Sequence, residues 1–102
     1  MFGRQVTMKL KPGSGSEFIR INQTLVKTIL REQQGFLSET THINPEHSEV
    51  TANSLWNTKE DEVRYDETAY LEIVKALADV VEGTPMVKTF ELAQTYFHKI
   101  AA

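Results

Sequence analysis

Polar and apolar residues alternate near the start of the chain, as they do in a strand with one buried face. Over residues 4–11 the side chains of Val6, Met8 and Leu10 point one way and polar side chains point the other. Residues 12–15 then break the alternation with proline and glycine, as a turn does. The pattern predicts a first strand that ends in a turn.

A helix is predicted next, because apolar residues recur at helical spacing and both ends carry termination signals. Ser14 and Glu17 can form a capping box at its start, and Gly35 can supply a left-handed stop after its end. The predicted buried stripe contains Phe18, Ile21, Leu25 and Ile29, flanked by Ile19, Val26 and Leu30.

Two strands rich in β-branched and aromatic residues are predicted over residues 36–43 and 49–56. The loop between them suits a hairpin. An acidic segment follows, for which Asn57 or Thr58 can act as the cap of one or two helical turns.

Asp66 can cap a second long helix, and Gly83 and Pro85 end it in the expected order. Its apolar stripe consists of Ala69, Tyr70, Ile73, Val74, Leu77 and Val81. A last strand is predicted over residues 86–96, and one of its faces carries Phe90, Leu92 and Tyr96.

The predicted order β-α-β-β-α-β belongs to the α+β class. Its simplest compact form is a ferredoxin-like plait, a four-stranded antiparallel sheet with both helices on one face. One such domain accounts for residues 1–102. The strands are not plainly polar on either face, so the uncovered sheet face predicts a homodimer. A cavity could then bind a small aromatic or apolar ligand.

Composition and charge narrow the range of partners. The net charge is −3 and the eleven basic residues are scattered, which argues against binding to nucleic acid. The chain has no cysteine, so disulfides, thiol nucleophiles and thiolate metal sites are excluded. No apolar stretch approaches membrane-spanning length and the first residues lack a signal-peptide pattern, so a cytoplasmic location and no membrane association are expected.

Three short motifs give the chain a resemblance to a known family. Gly35-Phe36-Leu37 opens the second strand, Trp56 with residues 57–60 resembles a Trp-x-Ser/Thr-x-Glu pattern, and Thr84-Pro85 precedes the last strand. Together they resemble the antibiotic biosynthesis monooxygenase-like group of dimeric α/β-barrel proteins. The resemblance implies a homodimer with a pocket between sheet and helices. Some members oxidise aromatic phenols with molecular oxygen and no cofactor, while others bind haem, isomerise small molecules or have no assigned activity.

Trp56 and Asn53 are the first candidate site residues. The resemblance implies that Trp56 walls a substrate pocket, although a core tryptophan is an equal alternative. Asn53 could hold a substrate carbonyl or peroxide, although an amide bonded to neighbouring backbone is the commoner case. An odd separation places the two side chains on opposite faces of their strand.

Tyr65, Tyr70 and Arg64 flank the start of the second helix. Either phenol could donate a proton to a substrate oxygen, and Arg64 could bind an anionic group. The alternatives are a core position for Tyr70 and simple exposure for Arg64.

Among the histidines, His42 is the best acid–base candidate, because it shares a polar stripe with Ser38 and Thr40 on a strand that should be half buried. His47 is predicted in a loop, and His98 could lie at the dimer contact. No two histidines have metal-binding spacing on one element, so no metal is predicted. The resemblance implies that haem-degrading members use a histidine of the second helix and an asparagine of the first strand, and this chain has neither. Haem oxygenation is therefore disfavoured and no cofactor is predicted, while weak haem binding through another ligand stays open.

Two functions follow. The first is a cofactor-independent monooxygenase, in which His42 or a tyrosine helps to deprotonate a phenol- or anthrone-like substrate that Trp56 walls. Asn53 or Tyr65 would hold the oxyanion. The alternative is a non-catalytic dimeric barrel that binds a small apolar ligand or serves in a stress response. An isomerase or lyase is a third interpretation.

Overall fold

A computed structural model describes residues 1–44, 46 and 48–94 of the chain. Its strands are β1 (Phe2–Leu10), β2 (Phe36–Asn44), β3 (Glu49–Trp56) and β4 (Val81–Glu91). Its helices are α1 (Gly15–Ile21), a π-helical turn (Asn22–Val26), α2 (Lys27–Arg31), α3 (Lys59–Glu67) and α4 (Ala69–Leu77). No helix in this part of the chain is long and apolar enough to cross a membrane.

The strands form one antiparallel sheet in the order β2-β3-β1-β4. The helices pack on one face of it, where apolar side chains of the sheet and of the helices form a single buried core. This arrangement confirms the predicted α+β ferredoxin-like fold. We call this face the covered face and the other the open face.

The alternation predicted for β1 is confirmed by burial. Val6, Met8 and Leu10 are buried in the core, whereas Gln5 is half-buried and Lys9 is exposed. Arg4 has the same parity as the apolar residues and is therefore buried with them.

The first helix differs from its prediction in two ways. Ser14 does cap the helix by position, but its side chain makes no capping hydrogen bond, and Glu17 instead pairs with Arg20. The predicted capping box is therefore wrong. Leu25 is 43 % exposed and Val26 is buried instead, because the π-helical turn has more residues per turn and shifts the buried stripe by one position.

The second helical region is also divided differently. Thr58 caps α3 as predicted, since its Oγ1 accepts a hydrogen bond from the backbone N–H of Asp61 at 3.2 Å. The predicted capping role of Asp66 is wrong, because Asp66 lies inside α3. A second helix, α4, begins after Thr68, at Ala69.

The predicted helix end at Gly83 and Pro85 is wrong, because α4 ends at Leu77 and both residues belong to β4. Gly83 has a φ of 73° in the strand, near a shift in the register between β1 and β4. Pro85 is tolerated because β4 is an edge strand, where a missing backbone donor costs little.

The last strand therefore begins five residues before the predicted residue 86 and ends at Glu91, which places Leu92 beyond it. Gly35 has the predicted left-handed conformation, with a φ of 79°. Tyr96, His47 and His98 lie outside the described residues, so the predictions about them stay untested.

Candidate functional site

The predicted site residues are divided between the two faces of the sheet. Trp56, Tyr65 and Tyr70 lie together on the covered face, where their rings are in contact. His42 and Asn53 are on the open face, because His42 pairs with Thr51 and Asn53 is two residues from Thr51. The two groups are therefore separated by the sheet itself.

Trp56 lies at the centre of an aromatic cluster and has no exposed surface. Its ring stacks on Tyr65 with centroids 4.8 Å apart, and Phe36 meets it edge-on at 5.5 Å. Its Nε1 donates a hydrogen bond to Ser54 Oγ at 3.0 Å. The indole ring is thus packed against other aromatic rings, and its one polar atom has a hydrogen-bond partner.

Arg4 brings a positive charge to the edge of this cluster. Its guanidinium carbon lies 4.3 Å from the centroid of Tyr70 and 5.2 Å from that of Tyr65. Nη1 donates to Glu62 Oε2 at 2.7 Å and to Asp66 Oδ1 at 2.8 Å. Burial opposes the charge, but these hydrogen bonds outweigh it and keep the pKa of Arg4 above its ordinary value.

The hydrogen bonds of Arg4 leave part of its guanidinium without a partner. Its Nε and Nη2 are buried and donate to no atom in the described part of the chain. Buried donors of this kind cost free energy unless something accepts from them.

Both tyrosines remain neutral phenols at neutral pH. Burial raises the pKa of Tyr65 and of Tyr70, and the nearby charge of Arg4 only partly opposes this. Each hydroxyl can therefore donate a hydrogen bond to a developing oxyanion, but neither is suited to act as a base.

An interior cavity of about 30 Å³ lies between the sheet and the helices. Tyr65, Tyr70, Glu39 and Asn22 contribute its polar groups, and the rest of its lining is Val6, Met8, Phe18, Val26, Ala52, Ile73 and Leu77. It has room for about one water molecule.

Glu39 is the one carboxylic acid in the lining of this cavity. It pairs with Ser54 in the sheet, on the covered face, and is half-buried. Burial raises the pKa of Glu39, while a 2.9 Å hydrogen bond from Thr41 Oγ1 and the charge of Arg4 partly oppose the shift. A carboxylate with a raised pKa is a stronger base than an exposed one.

Two larger spaces adjoin the interior cavity. A side groove of about 360 Å³ shares Asn22 and Glu39 with it, and is also lined by Gln23, Lys27, Leu30, Arg31, Phe36 and Thr41. An apolar cavity of about 170 Å³ shares Met8, Tyr70, Ile73 and Leu77 with it, and is completed by Val74, Ala78, Val81, Gly83 and Pro85. Glu39 thus faces the side groove, and Tyr70 faces the apolar cavity.

The other predicted residues line none of these three spaces. The Asn53 Oδ1 accepts a hydrogen bond from Gln5 Nε2 at 3.1 Å, and His42 is exposed on edge strand β2. Arg64 is exposed and donates to Asp61 Oδ1 at 3.1 Å. Within residues 1–44, 46 and 48–94, no three His, Asp or Glu side chains are grouped so as to hold a metal ion.

Sequence reasoning missed Arg4, Glu39 and Asn22. The signal for Arg4 was present, because it has the parity of the buried residues of β1. Glu39 likewise alternates with the polar stripe of Ser38, Thr40 and His42, so it belongs to the opposite and covered face. Asn22 carried no such signal, since its position depends on the π-helical turn.

Comparison with known proteins finds similar structures but no match by sequence. The chain matches no protein-family model and no curated protein. It is similar to the crystal structure of a monooxygenase from the gene ActVA-Orf6 of Streptomyces coelicolor, solved with the ligand nanaomycin D. The TM-score is 0.78 and the identity 20%, over 96% of this chain and 92% of that one.

Two further structures show the same likeness. SnoaB of Streptomyces nogalater, a cofactor-independent oxygenase, has a TM-score of 0.75 and 17% identity over 92% of this chain and 94% of its own. A Nitrosomonas europaea protein provisionally named an antibiotic biosynthesis monooxygenase has a TM-score of 0.76 and 16% identity, over 92% and 100%. The structural neighbours thus include antibiotic biosynthesis monooxygenases, as the sequence motifs predicted, and this chain has their fold.

Proposed function

We propose that this chain is a cofactor-independent oxygenase that acts on a small phenol- or anthrone-like aromatic substrate. The observation that carries the proposal is the convergence of Glu39, Tyr65 and Tyr70 on one small cavity with an otherwise largely apolar lining. A base with a raised pKa and two neutral phenols are the groups that this reaction needs. The fold shared with SnoaB and the ActVA-Orf6 monooxygenase supports the same reaction class.

The reaction begins with removal of a proton from the substrate by Glu39. The resulting carbanion is stabilised as an enolate or phenolate, and a donor from Tyr70 or Tyr65 favours that oxyanion. The carbanion carbon forms a bond to molecular oxygen, which gives a peroxide anion after electron transfer from the substrate. Protonation and loss of water from the hydroperoxide then leave a carbonyl group. One oxygen atom enters the product and the other leaves as water, so the substrate supplies all the electrons.

The sizes of the cavities decide where the substrate lies. The interior cavity is too small for an aromatic ring, since a cavity that holds benzene measures about 150 Å³. The side groove is large enough, and Glu39 lines both it and the interior cavity. The aromatic body would therefore lie in the side groove, with its reacting carbon beside Glu39.

Glu39→Gln is expected to reduce oxygen consumption on anthrone about 100-fold, because it removes the general base. Glu72→Gln, an exposed neutralisation on α4, is the matched control and should keep the wild-type rate. The wild-type rate should fall as the pH drops and protonates Glu39, at a pH above the range of an ordinary glutamate, because its pKa is raised. An oxygen electrode measures the rates, corrected for reaction without protein. An unchanged rate in Glu39→Gln would contradict the assignment.

A non-catalytic function is favoured by one observation, the apolar cavity next to Tyr70. Its 170 Å³ exceed the roughly 150 Å³ of a cavity that holds benzene, and its lining supplies no acid or base other than the tyrosine. For a binding protein, a small apolar ligand would raise the melting temperature without any oxygen consumption. The oxygen measurement therefore separates the two functions.

We also propose that two chains associate through their open sheet faces. This face exposes Met86 (64 %) and Phe90 (41 %), and the Phe90 ring lies directly over the backbone of Gly3. Apolar side chains on an uncovered sheet favour burial against a second sheet. His42 and Asn53 would then lie at or near that contact, where their predicted catalytic roles remain proposals. Light scattering measures the mass in solution, and a monomer would contradict the association.

A further inference from the structure

The side groove has a basic rim as well as an apolar floor. Lys27 and Arg31 are four residues apart on α2, so they lie on the same side of this helix. Leu30 and Phe36 supply the apolar surface between this helix and β2. The groove thus offers an apolar surface with two positive charges at one side of it.

The two cations are available to a ligand. Lys27 and Arg31 are exposed, and neither has a carboxylate within ion-pair distance in the part of the chain that the structure describes. Arg4, Arg20 and Arg64 are each engaged by a carboxylate there. In a protein of net charge −3, two such cations beside one groove are a local exception to the overall charge.

The charges also define a direction along the groove. Lys27 and Arg31 are on the helix side, whereas Glu39 is on β2 and continues into the interior cavity. An anionic group is attracted to the helix side and repelled by an ionised Glu39. The π-helical turn supports a functional use of this helix, because such turns occur frequently at functional sites.

We propose that the side groove selects aromatic compounds that carry a carboxylate. The carboxylate binds Lys27 and Arg31, the ring lies against Phe36 and Leu30, and the opposite end of the ring points towards Glu39. Arginine is suited to this role because its planar fork matches a carboxylate. The inference rests on the proposed function for the reaction of the bound compound, but the binding preference stands on the groove alone.

Isothermal titration calorimetry with 2-naphthoate and its neutral counterpart 2-naphthamide tests the preference. We expect naphthoate to bind about tenfold more tightly, as two partly screened charge-assisted contacts predict. The Lys27→Gln/Arg31→Gln variant should lose this difference and bind both compounds with similar affinity. The control Lys59→Gln/Lys75→Gln removes two exposed cations from outside the groove and should keep it. Circular dichroism verifies that both variants are folded.

Several results would overturn the proposal. They are equal binding of the two compounds by the wild type, an undiminished preference in Lys27→Gln/Arg31→Gln, or the same loss in the control variant. Inorganic phosphate at equal concentration should displace little naphthoate, and complete displacement would show that the groove binds simple anions without selecting the ring. Oxygen consumption is measured separately. Selective binding without turnover would contradict the oxygenase and leave this inference standing, whereas turnover of anthrone without charge preference would do the reverse.

Discussion

Arg4→Met is expected to lower the free energy of unfolding by about 3–5 kcal/mol, because it leaves a buried carboxylate without its partner. The Glu62 side chain is only 4% exposed, and its hydrogen bond from Arg4 Nη1 is 2.7 Å long. Asp66 is 47% exposed, so it can turn to water when Arg4 is lost. The cost should therefore come almost entirely from Glu62. Urea denaturation followed by circular dichroism at a fixed protein concentration measures it.

A second variant separates the loss of the ion pair from the loss of packing. Arg4→Met/Glu62→Met replaces both charges with flexible apolar side chains of similar length. It should recover most of the lost stability, because buried ion pairs are often no more stabilising than apolar residues of similar volume. Asp66→Asn is the matched control. Because Asp66 is half exposed, this change should lower the free energy of unfolding by less than about 1 kcal/mol. A loss below 1 kcal/mol for Arg4→Met itself would show that Glu62 finds other partners, and would contradict the prediction.

The same cluster shows which part of the fold the sequence could predict. Alternation along β1 and the span of β3 depend on the two-residue period of strands, and burial follows that period from Arg4 to Leu10. Arg4 obeys it too, although its burial depends on Glu62 and Asp66, which are about sixty residues away in sequence. The two-residue period predicts on which face of the sheet a side chain lies. It does not predict the distant residue that compensates the charge of that side chain.

Helix ends were harder to predict, because their signals also suit other structures. Gly83 and Pro85 resemble the end of a helix, yet both lie in β4. Gly83 has a positive φ there, and Pro85 is tolerated because β4 is an edge strand. Likewise, the π-helical turn at Asn22–Val26 has no local sequence signature. It exchanges Leu25 for Val26 in the core and places Asn22 in the cavity. Tertiary packing decided these positions rather than local propensity.

The candidate site was predictable only where an odd or even position along a strand decides on which face of the sheet a side chain lies. Parity separated Asn53 from Trp56, and pairing with β3 places His42 with Asn53 on the open face. The contact between Trp56, Tyr65 and Tyr70 depends on how α3 and α4 pack on the sheet. The periodicity of the sequence does not predict that packing. Glu39 became the best base only when its burial beside the cavity was known.

The second large effect is expected at Trp56, where Trp56→Ala should lower the free energy of unfolding by about 3–5 kcal/mol. The ring is fully buried and does not line the interior cavity, the side groove or the apolar cavity. It contacts the residues that do, because Tyr65 stacks on it and Phe36 meets its edge. Removing the indole therefore leaves a void behind the wall of the site.

Two milder substitutions divide the role of the indole. Ser54→Ala removes only the acceptor of Trp56 Nε1 and should cost about 1–3 kcal/mol, since it leaves a buried donor unpaired. Trp56→Phe keeps an aromatic ring and should fall between Ser54→Ala and Trp56→Ala. If Trp56 acted mainly by contacting substrate, the result would differ. Trp56→Phe would then weaken ligand binding but leave the unfolding curve nearly unchanged. Because the structure buries the ring completely, we expect unfolding and ligand binding to weaken together, with Trp56 acting on the site through Tyr65 and Phe36.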